Sequence, residues 1–206
     1  MAVSPLKPPG LNFAEIPLDI EMVSPSLLHR GSDYTTREPF FGRTNSKRFD
    51  DPGRVASKRF GTCYLGLSLT VAFSESVLHD LEPDQGAFRL PETEITRRYA
   101  WSFRGPDLRL ANLTGTSLLL LGGHAELCGT TNYALTKKWA RAVANHPDNV
   151  DGFLYMSRRV NDSLAVVLFE RDAASRPNIT PATYWKLDEH PDFPATMKKL
   201  NVKPVI

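Results

Sequence analysis

Residues 152–170 carry the pattern that most limits the fold: GFLYMS, a polar turn at RRVND, then SLAVVLFE. Two runs rich in β-branched and aromatic residues, joined by a short turn-forming stretch, predict an antiparallel hairpin. The segments around it do not alternate strictly between strand and helix. A doubly wound parallel sheet needs that alternation, so the order of elements predicts an α+β fold with mixed or antiparallel sheets and a few helices.

The other segments are read in the same way. LLHR (27–30) predicts a short strand ending at Arg30, and GSDYTTREPFFG after it is loop. RTNSKRFDDPGRVASKRF (43–60) is basic and turn-rich, with Asp-Asp-Pro-Gly as its break. CYLGLS (63–68) reads as a buried strand, with Ser68 placed to cap a helix from Leu69 to Asp80, and a bend at 82–86 closes that unit. EITRRYAWSF and LRLANL read as strands, while SLLLL (117–121) fits strand or helix. Leu135, Trp139, Ala142 and Val143 fall at helical spacing, with Thr131 as the expected cap and His-Pro-Asp as the stop. A chain of 206 residues sustains one domain with a real core. Residues 1–24 are expected to form a proline-rich arm, 25–175 the main domain, and 176–206 a C-terminal extension packing on it.

Composition excludes more than it selects. A net charge of +2 gives no bulk attraction to nucleic acid or membrane. The basic run 43–60 interleaves Phe49 and Phe60, which fits RNA contact, but Asp50 and Asp51 inside it argue the other way. Cys63 and Cys128 lack paired spacing and read as buried thiols in a reducing compartment. The five histidines show no metal-ligand spacing, and no GxGxxG or phosphate loop occurs. No apolar run reaches transmembrane length and no leader pattern opens the chain, so a cytoplasmic protein is expected.

One acid stands out. In TCYLGLSLTVAFSESVLHD (62–80), Leu69, Ala72, Phe73, Ser76 and Val77 share the helix face expected to pack. Glu75 lies off that face, with Val71 and Leu78 as its helical neighbours. A carboxylate in aliphatic company needs a cation or a hydrogen-bond donor. A buried structural ion pair and a catalytic role both fit that requirement.

Several blocks together resemble the RES-domain family, named for its arginine, glutamate and serine. They are HR at Arg30, RFDDP (48–52), FGTCYLGLSLTVAFSE (60–75), LRLANLTG, YALTKKWARAVANHPDNVDGFLYMSRR (133–159) and AVVLFER. The family includes toxins of bacterial toxin–antitoxin pairs. The resemblance implies a compact domain similar to the ADP-ribosyltransferases, which binds NAD+ as a substrate and breaks its nicotinamide–ribose bond. Water, phosphate or a protein then accepts the ribosyl group. It implies a helix-turn-helix antitoxin as partner and, by analogy alone, a homodimer. Neither a resident cofactor nor a metal is implied.

Residue by residue, the resemblance places the family arginine at Arg30, the glutamate at Glu75 and the serine at Ser157. The RF-motif arginine falls on Arg48, and the aromatic opening the strand before the glutamate on Tyr64. The family tyrosine between the first arginine and the RF motif has Tyr34, Phe40 and Phe41 as candidates, and Phe40 is taken for the substrate-binding set. Nicotinamide leaves NAD+ as a neutral base, so the site must chiefly stabilise positive charge on the ribose, which suits Glu75. Arg30 and Arg48 suit a pyrophosphate; the bland alternative for Arg48 is a loop charge paired with Asp50 or Asp51. Alternation puts Ser157 beyond Phe153 and Tyr155 on one strand face, where its hydroxyl can meet a bound sugar or cap the hairpin turn. Tyr64 fits nicotinamide stacking or the core equally. Two further settings compete: a nucleic-acid-binding protein using the basic loop, and a secreted effector restrained by an immunity protein.

Overall fold

The chain enters its main sheet only after a stretch of irregular backbone. The computed structural model describes residues 5–205, so residues 1–4 of the expected arm and Ile206 of the expected extension lie outside the described residues. A 3-10 turn (Phe13–Glu15) precedes β1 (Ile20–Val23), and a second (Pro25–Leu27) precedes β2 (His29–Ser32). A long loop leads to β3 (Gly61–Gly66), and α1 (Leu69–Ser76) follows at once. Then come β4 (Phe88–Pro91), α2 (Glu92–Thr96), β5 (Tyr99–Arg104) and β6 (Leu108–Asn112). Helices α3 (Gly115–Leu120), α4 (Glu126–Gly129) and α5 (Tyr133–Ala144) precede the hairpin of β7 (Gly152–Met156) and β8 (Leu164–Glu170). The chain finishes with β9 (Thr180–Lys186), α6 (Phe193–Lys199) and β10 (Val202–Val205).

Eight strands make one sheet in the order β1-β6-β7-β8-β3-β2-β5-β9, while β10 and β4 pair separately and parallel. Only β6–β7 is parallel within the large sheet. The hairpin sits inside it, which explains its near-continuous apolar runs: both faces are covered. Phe153, Tyr155, Val167 and Phe169 join a cluster closed by Trp139, Ala140 and Val143 of α5 and by Leu6, Phe13 and Leu18 before β1. Leu154, Val166 and Leu168 face a second cluster. That cluster gathers Val23 of β1, Leu110 of β6 and Trp101 of β5, strands far apart in the sheet, so the sheet curls upon itself. A third cluster packs Leu69 and Phe73 of α1, and Val77 just after it, against Leu90, Ile95, Leu187 and Val202. Burial of a side chain such as Phe73 contributes roughly 2–3 kcal/mol. Residues beyond 176 thus brace α1 from outside, and Thr70 Oγ1 meets Thr196 Oγ1 of α6 at 3.1 Å.

Local expectations fail where tertiary contacts decide. SLLLL, left open between strand and helix, runs through α3 to its C-cap: Leu118 and Leu121 are buried while Leu119 and Leu120 face solvent, a three-residue spacing no strand gives. The first residues of EITRR form α2, and the strand starts only at Tyr99. The LLHR strand is displaced to His29–Ser32, Leu28 being buried ahead of it. Helix α1 stops at Ser76, short of Asp80, as Val77 and Leu78 turn into the third cluster. The cap of α5 is Asn132, whose side chain accepts from Ala134 N at 3.2 Å, and not Thr131.

Two glycines let α1 approach the sheet. A Cβ on Gly66 would lie 2.5 Å from Ala72 N, and one on Gly31 would lie 2.6 Å from Ser76 Oγ. One junction in the sheet is weak. Strands β2 and β3 are registered at a single pair, His29 with Gly66, whereas β3 and β8 share six pairs and β2 and β5 share four.

Candidate active site

Past the His29–Gly66 pair the two strands splay, and a cleft of about 410 Å³ opens in the gap. Arg30 and Gly31 stand on one edge, Tyr64 and Leu65 on the other, and α1 contributes Ala72, Glu75 and Ser76. Across the seam Arg30 Nη1 donates to the Tyr64 carbonyl at 2.9 Å, a guanidinium bond where the ladder is interrupted. Ser76, expected on the packing face of its helix, is exposed at the cleft.

Glu75 is half-buried in the last turn of α1. That end carries the negative pole of the helix, so a carboxylate there needs donors from elsewhere. Ser157, buried just after β7, donates its hydroxyl to Glu75 Oε1 at 2.5 Å, and Arg159 N stands 3.5 Å from the same oxygen. The Ser157 oxygen also accepts Val160 N at 3.1 Å and Arg159 N at 3.3 Å. One side chain therefore caps the hairpin turn and orients the acid. Of the two roles the sequence left open for this hydroxyl, the turn cap is present, and its proton goes to Glu75.

Cations dominate the rest of the wall: Arg30, Lys47, Arg48, Arg158 and Arg159, against the carboxylates Glu75 and Asp80. Arg30 is partly compensated. Its Nε lies 2.8 Å from Glu38 Oε2, an ion-pair distance at an angle too poor for a hydrogen bond. Its Nη2 has no hydrogen-bond partner among the described residues. Arg48 donates to the Thr130 carbonyl at 2.6 Å and lies over the Tyr133 ring, 4.8 Å from its centroid. It pairs with neither Asp50 nor Asp51. Asp51 takes Arg141, and Asp50 is surrounded by hydroxyl and backbone donors. Arg159 reaches Glu82 at 3.3 Å and the Leu81 carbonyl.

Tyr64 presents its ring to the cleft but not its proton. The hydroxyl donates to Asp50 Oδ1 at 3.2 Å and accepts Phe49 N at 2.9 Å. Burial, and next the Asp50 charge, push this phenol well above the ordinary tyrosine range. Burial raises Asp50 too, but hydrogen bonds led by Thr44 outweigh it and hold that carboxyl below its usual value. Burial pushes the Cys63 thiol up to about 11, and both cysteines are free and buried.

Arg30, Arg48, Tyr64 and Glu75 thus line one cleft, with Ser157 reaching it through Glu75. The aromatics between Arg30 and Arg48 do not join them. Phe41 is buried in the second cluster, with Arg176 5.0 Å over its ring. Phe40 and Tyr34 are exposed and line a neighbouring cavity of about 700 Å³, which meets the cleft at Arg30, Gly31 and Ser76. Sequence reasoning missed Lys47, Tyr133, Arg158, Arg159 and the supporting acids Glu38 and Asp50. Lys47 and Arg158 adjoin residues it had named, and adjacency was the available signal. Among the described residues no group of three or more His, Cys, Asp or Glu is arranged to hold a metal, and no helix is long and apolar enough to cross a membrane.

Comparison with known proteins bears on this geometry. The family model described as the RES domain matches residues 26–193. No curated protein matches the chain. Among solved structures, it is similar to a chain in the crystal structure of the M. tuberculosis MbcT–MbcA toxin–antitoxin complex, with a TM-score of 0.60 and 13% sequence identity. That likeness covers 88% of this chain and 90% of the other. The fold is α+β, a curled, mostly antiparallel sheet of the ADP-ribosyltransferase type, as the order of elements and the family resemblance led one to expect.

Proposed function

The chain belongs to the RES-domain family, and on that premise we propose that it is an enzyme cleaving the nicotinamide–ribose bond of NAD+. One observation carries the reading: Glu75 Oε1, held by the Ser157 hydroxyl at 2.5 Å, forms part of a cleft whose charged groups are mostly cations. The cations suit the pyrophosphate, which a planar guanidinium binds through two donors at once. The acid suits the reacting carbon. As the glycosidic bond stretches, electrons leave with neutral nicotinamide and positive charge grows on the ribose. A preoriented carboxylate stabilises that charge, and no general acid is required for the leaving group. Tyr64, its hydroxyl engaged with Asp50, serves as an aromatic wall and not as a proton donor. Arg30 binds substrate through its free edge, and Ser157 acts by fixing Glu75.

In this reading NAD+ is consumed, and neither a metal nor a resident cofactor takes part. The protein acts as a toxin in the cytoplasm, neutralised by an antitoxin that occludes the cleft. The toxin–antitoxin complex that contains the similar fold supports this setting over an injected effector. The nucleic-acid alternative loses support from the basic loop itself. Arg43 donates to Glu170 and to the Arg59 carbonyl, and Arg59 to the Gly53 and Arg43 carbonyls, so these charges point into the protein.

The test is direct. Purified protein incubated with NAD+ releases nicotinamide, and Glu75→Gln lowers the rate at least about 100-fold. Undiminished release by that variant would sink the assignment. Running the reaction with and without phosphate, and weighing the ribosyl product, separates water, phosphate and protein as acceptors.

A further inference from the structure

The Asp50 carboxylate is 1% exposed and has no cationic partner within ion-pair distance among the described residues, an arrangement that normally costs several kcal/mol unless donors replace water. Here they do. Oδ2 accepts Thr44 Oγ1 at 2.7 Å, Lys47 N at 3.0 Å and Ser46 N at 3.2 Å. Oδ1 accepts Thr62 Oγ1 at 2.8 Å and the Tyr64 hydroxyl at 3.2 Å. The first three donors belong to the loop and the last two to β3. The carboxylate therefore pins the loop to the strand at the place where both border the cleft.

What it pins matters more than the pinning. Lys47 and Arg48 lie within the turn that Asp50 closes, and Asp50 N completes that turn on the Lys47 carbonyl at 3.3 Å. Lys47 Nζ ends 5.3 Å from the centroid of the Tyr64 ring. Arg48 ends over Tyr133, and Thr136 Oγ1 of α5 donates to the Arg48 carbonyl at 2.5 Å. Two cations and an aromatic wall are thereby fixed relative to one another by a group that does not itself line the cleft.

We propose that Asp50 is a positioning residue that sets the Lys47–Arg48 pair and the Tyr64 ring for binding the dinucleotide, an inference that rests on the NAD+ reading of the cleft. Asp50 hydrogen-bonds neither Glu75 nor Ser157, so the chemical step is left intact when Asp50 changes. Its signature is a split between KM and kcat. In Asp50→Asn only one oxygen remains an acceptor, so either the loop donors or the Thr62 and Tyr64 hydroxyls face an amide N–H2, and the tie between loop and strand is weakened.

The experiment measures nicotinamide release against NAD+ concentration for the wild type and Asp50→Asn. The KM rises about tenfold, as loss of hydrogen bonds to a charged group implies, while kcat stays within about threefold. An unchanged KM in a folded variant overturns the proposal, and so does a fall in kcat at constant KM. Should Asp50→Asn fail to fold, Thr44→Ala removes one donor from the exposed end of the network; its KM rises about threefold, and an unchanged KM is again fatal. A second readout is independent of NAD+. Trypsin cuts after Lys47 and Arg48 about tenfold faster in the variant, relative to cutting after Lys198, because the loop opens locally more often. A wild type that releases no nicotinamide refutes the function, whereas equal trypsin rates refute the anchoring.

Discussion

Two carboxylates serve the cleft, Glu75 lining it and Asp50 behind the residues that line it, and the protein treats them in opposite ways. Asp50 is buried beneath five donors, and its lone pairs are filled from within the chain. Glu75 is half-buried and receives one close hydroxyl, with a backbone N–H at the limit of contact. A saturated carboxylate has nothing left to offer a ligand; an undersupplied one, held in a fixed orientation, does. Structural and chemical acids separate here by how much of their hydrogen-bonding capacity the fold consumes.

The contrast is most exposed at Glu75 itself. Glu75→Gln costs at least about 100-fold in nicotinamide release yet keeps stability within about 0.5 kcal/mol, because few native contacts depend on its charge. Activity and thermal unfolding measured on one preparation check both halves, and a large loss of stability would erase the distinction between the two acids. Ser157→Ala comes next. It frees the Glu75 rotamer and leaves the Val160 N–H without its acceptor, so kcat falls about tenfold and stability drops by about 1–2 kcal/mol.

Acid titration sharpens the other side. Asp50 holds its proton less tightly in the folded chain than in the unfolded chain, where the ordinary value is 3.8. Its stabilisation is present above that value and is lost as pH falls through the lower folded one. Denaturant unfolding followed below pH 4 therefore shows a steep acid limb in the wild type and a shallower one in Asp50→Asn. The smallest effect belongs to His29 and His190, whose rings stand 5.5 Å apart behind the seam. Burial, with the neighbouring His190 as a second cause for His29, holds both below 6.5. The folded state prefers them neutral, so that contribution is complete above pH 6.5 and lost as pH falls through the lowered values. Melting temperatures compared at pH 7.5 and 5.5 fall less in His190→Gln than in the wild type.

Local pattern made the hairpin readable: β7 and β8 are neighbours in sequence, and their apolar runs are their own record. Ser68 was equally readable as a cap, because its acceptor role is spent three residues away on Val71 N. The end of α1 was not, since Val77 and Leu78 leave the helix for partners near residues 90, 187 and 202. Family blocks named Glu75 and Ser157 separately, but nothing in either block says that two side chains 82 positions apart meet at 2.5 Å. The cleft is harder still to read, because it exists where strands fail to pair, and an absent ladder leaves no periodicity. Arg48 shows the limit from the other direction. The aspartates beside it made an ion pair the simplest expectation, and both turned out to serve other donors.

The single registered pair between β2 and β3 has a mechanical consequence. Sheets resist deformation along their ladders, and here the resistance is unevenly distributed: six pairs hold β3 to β8, four hold β2 to β5, and one joins the two groups. Among main-chain ladders, a change in the gap works against that one pair, with the Arg30–Tyr64 bond beside it and the second core cluster and α1 packed across both sides. The ladder is thus thinnest where the substrate is proposed to enter, and Arg30, the residue that stitches the seam, is also a residue the substrate is proposed to touch.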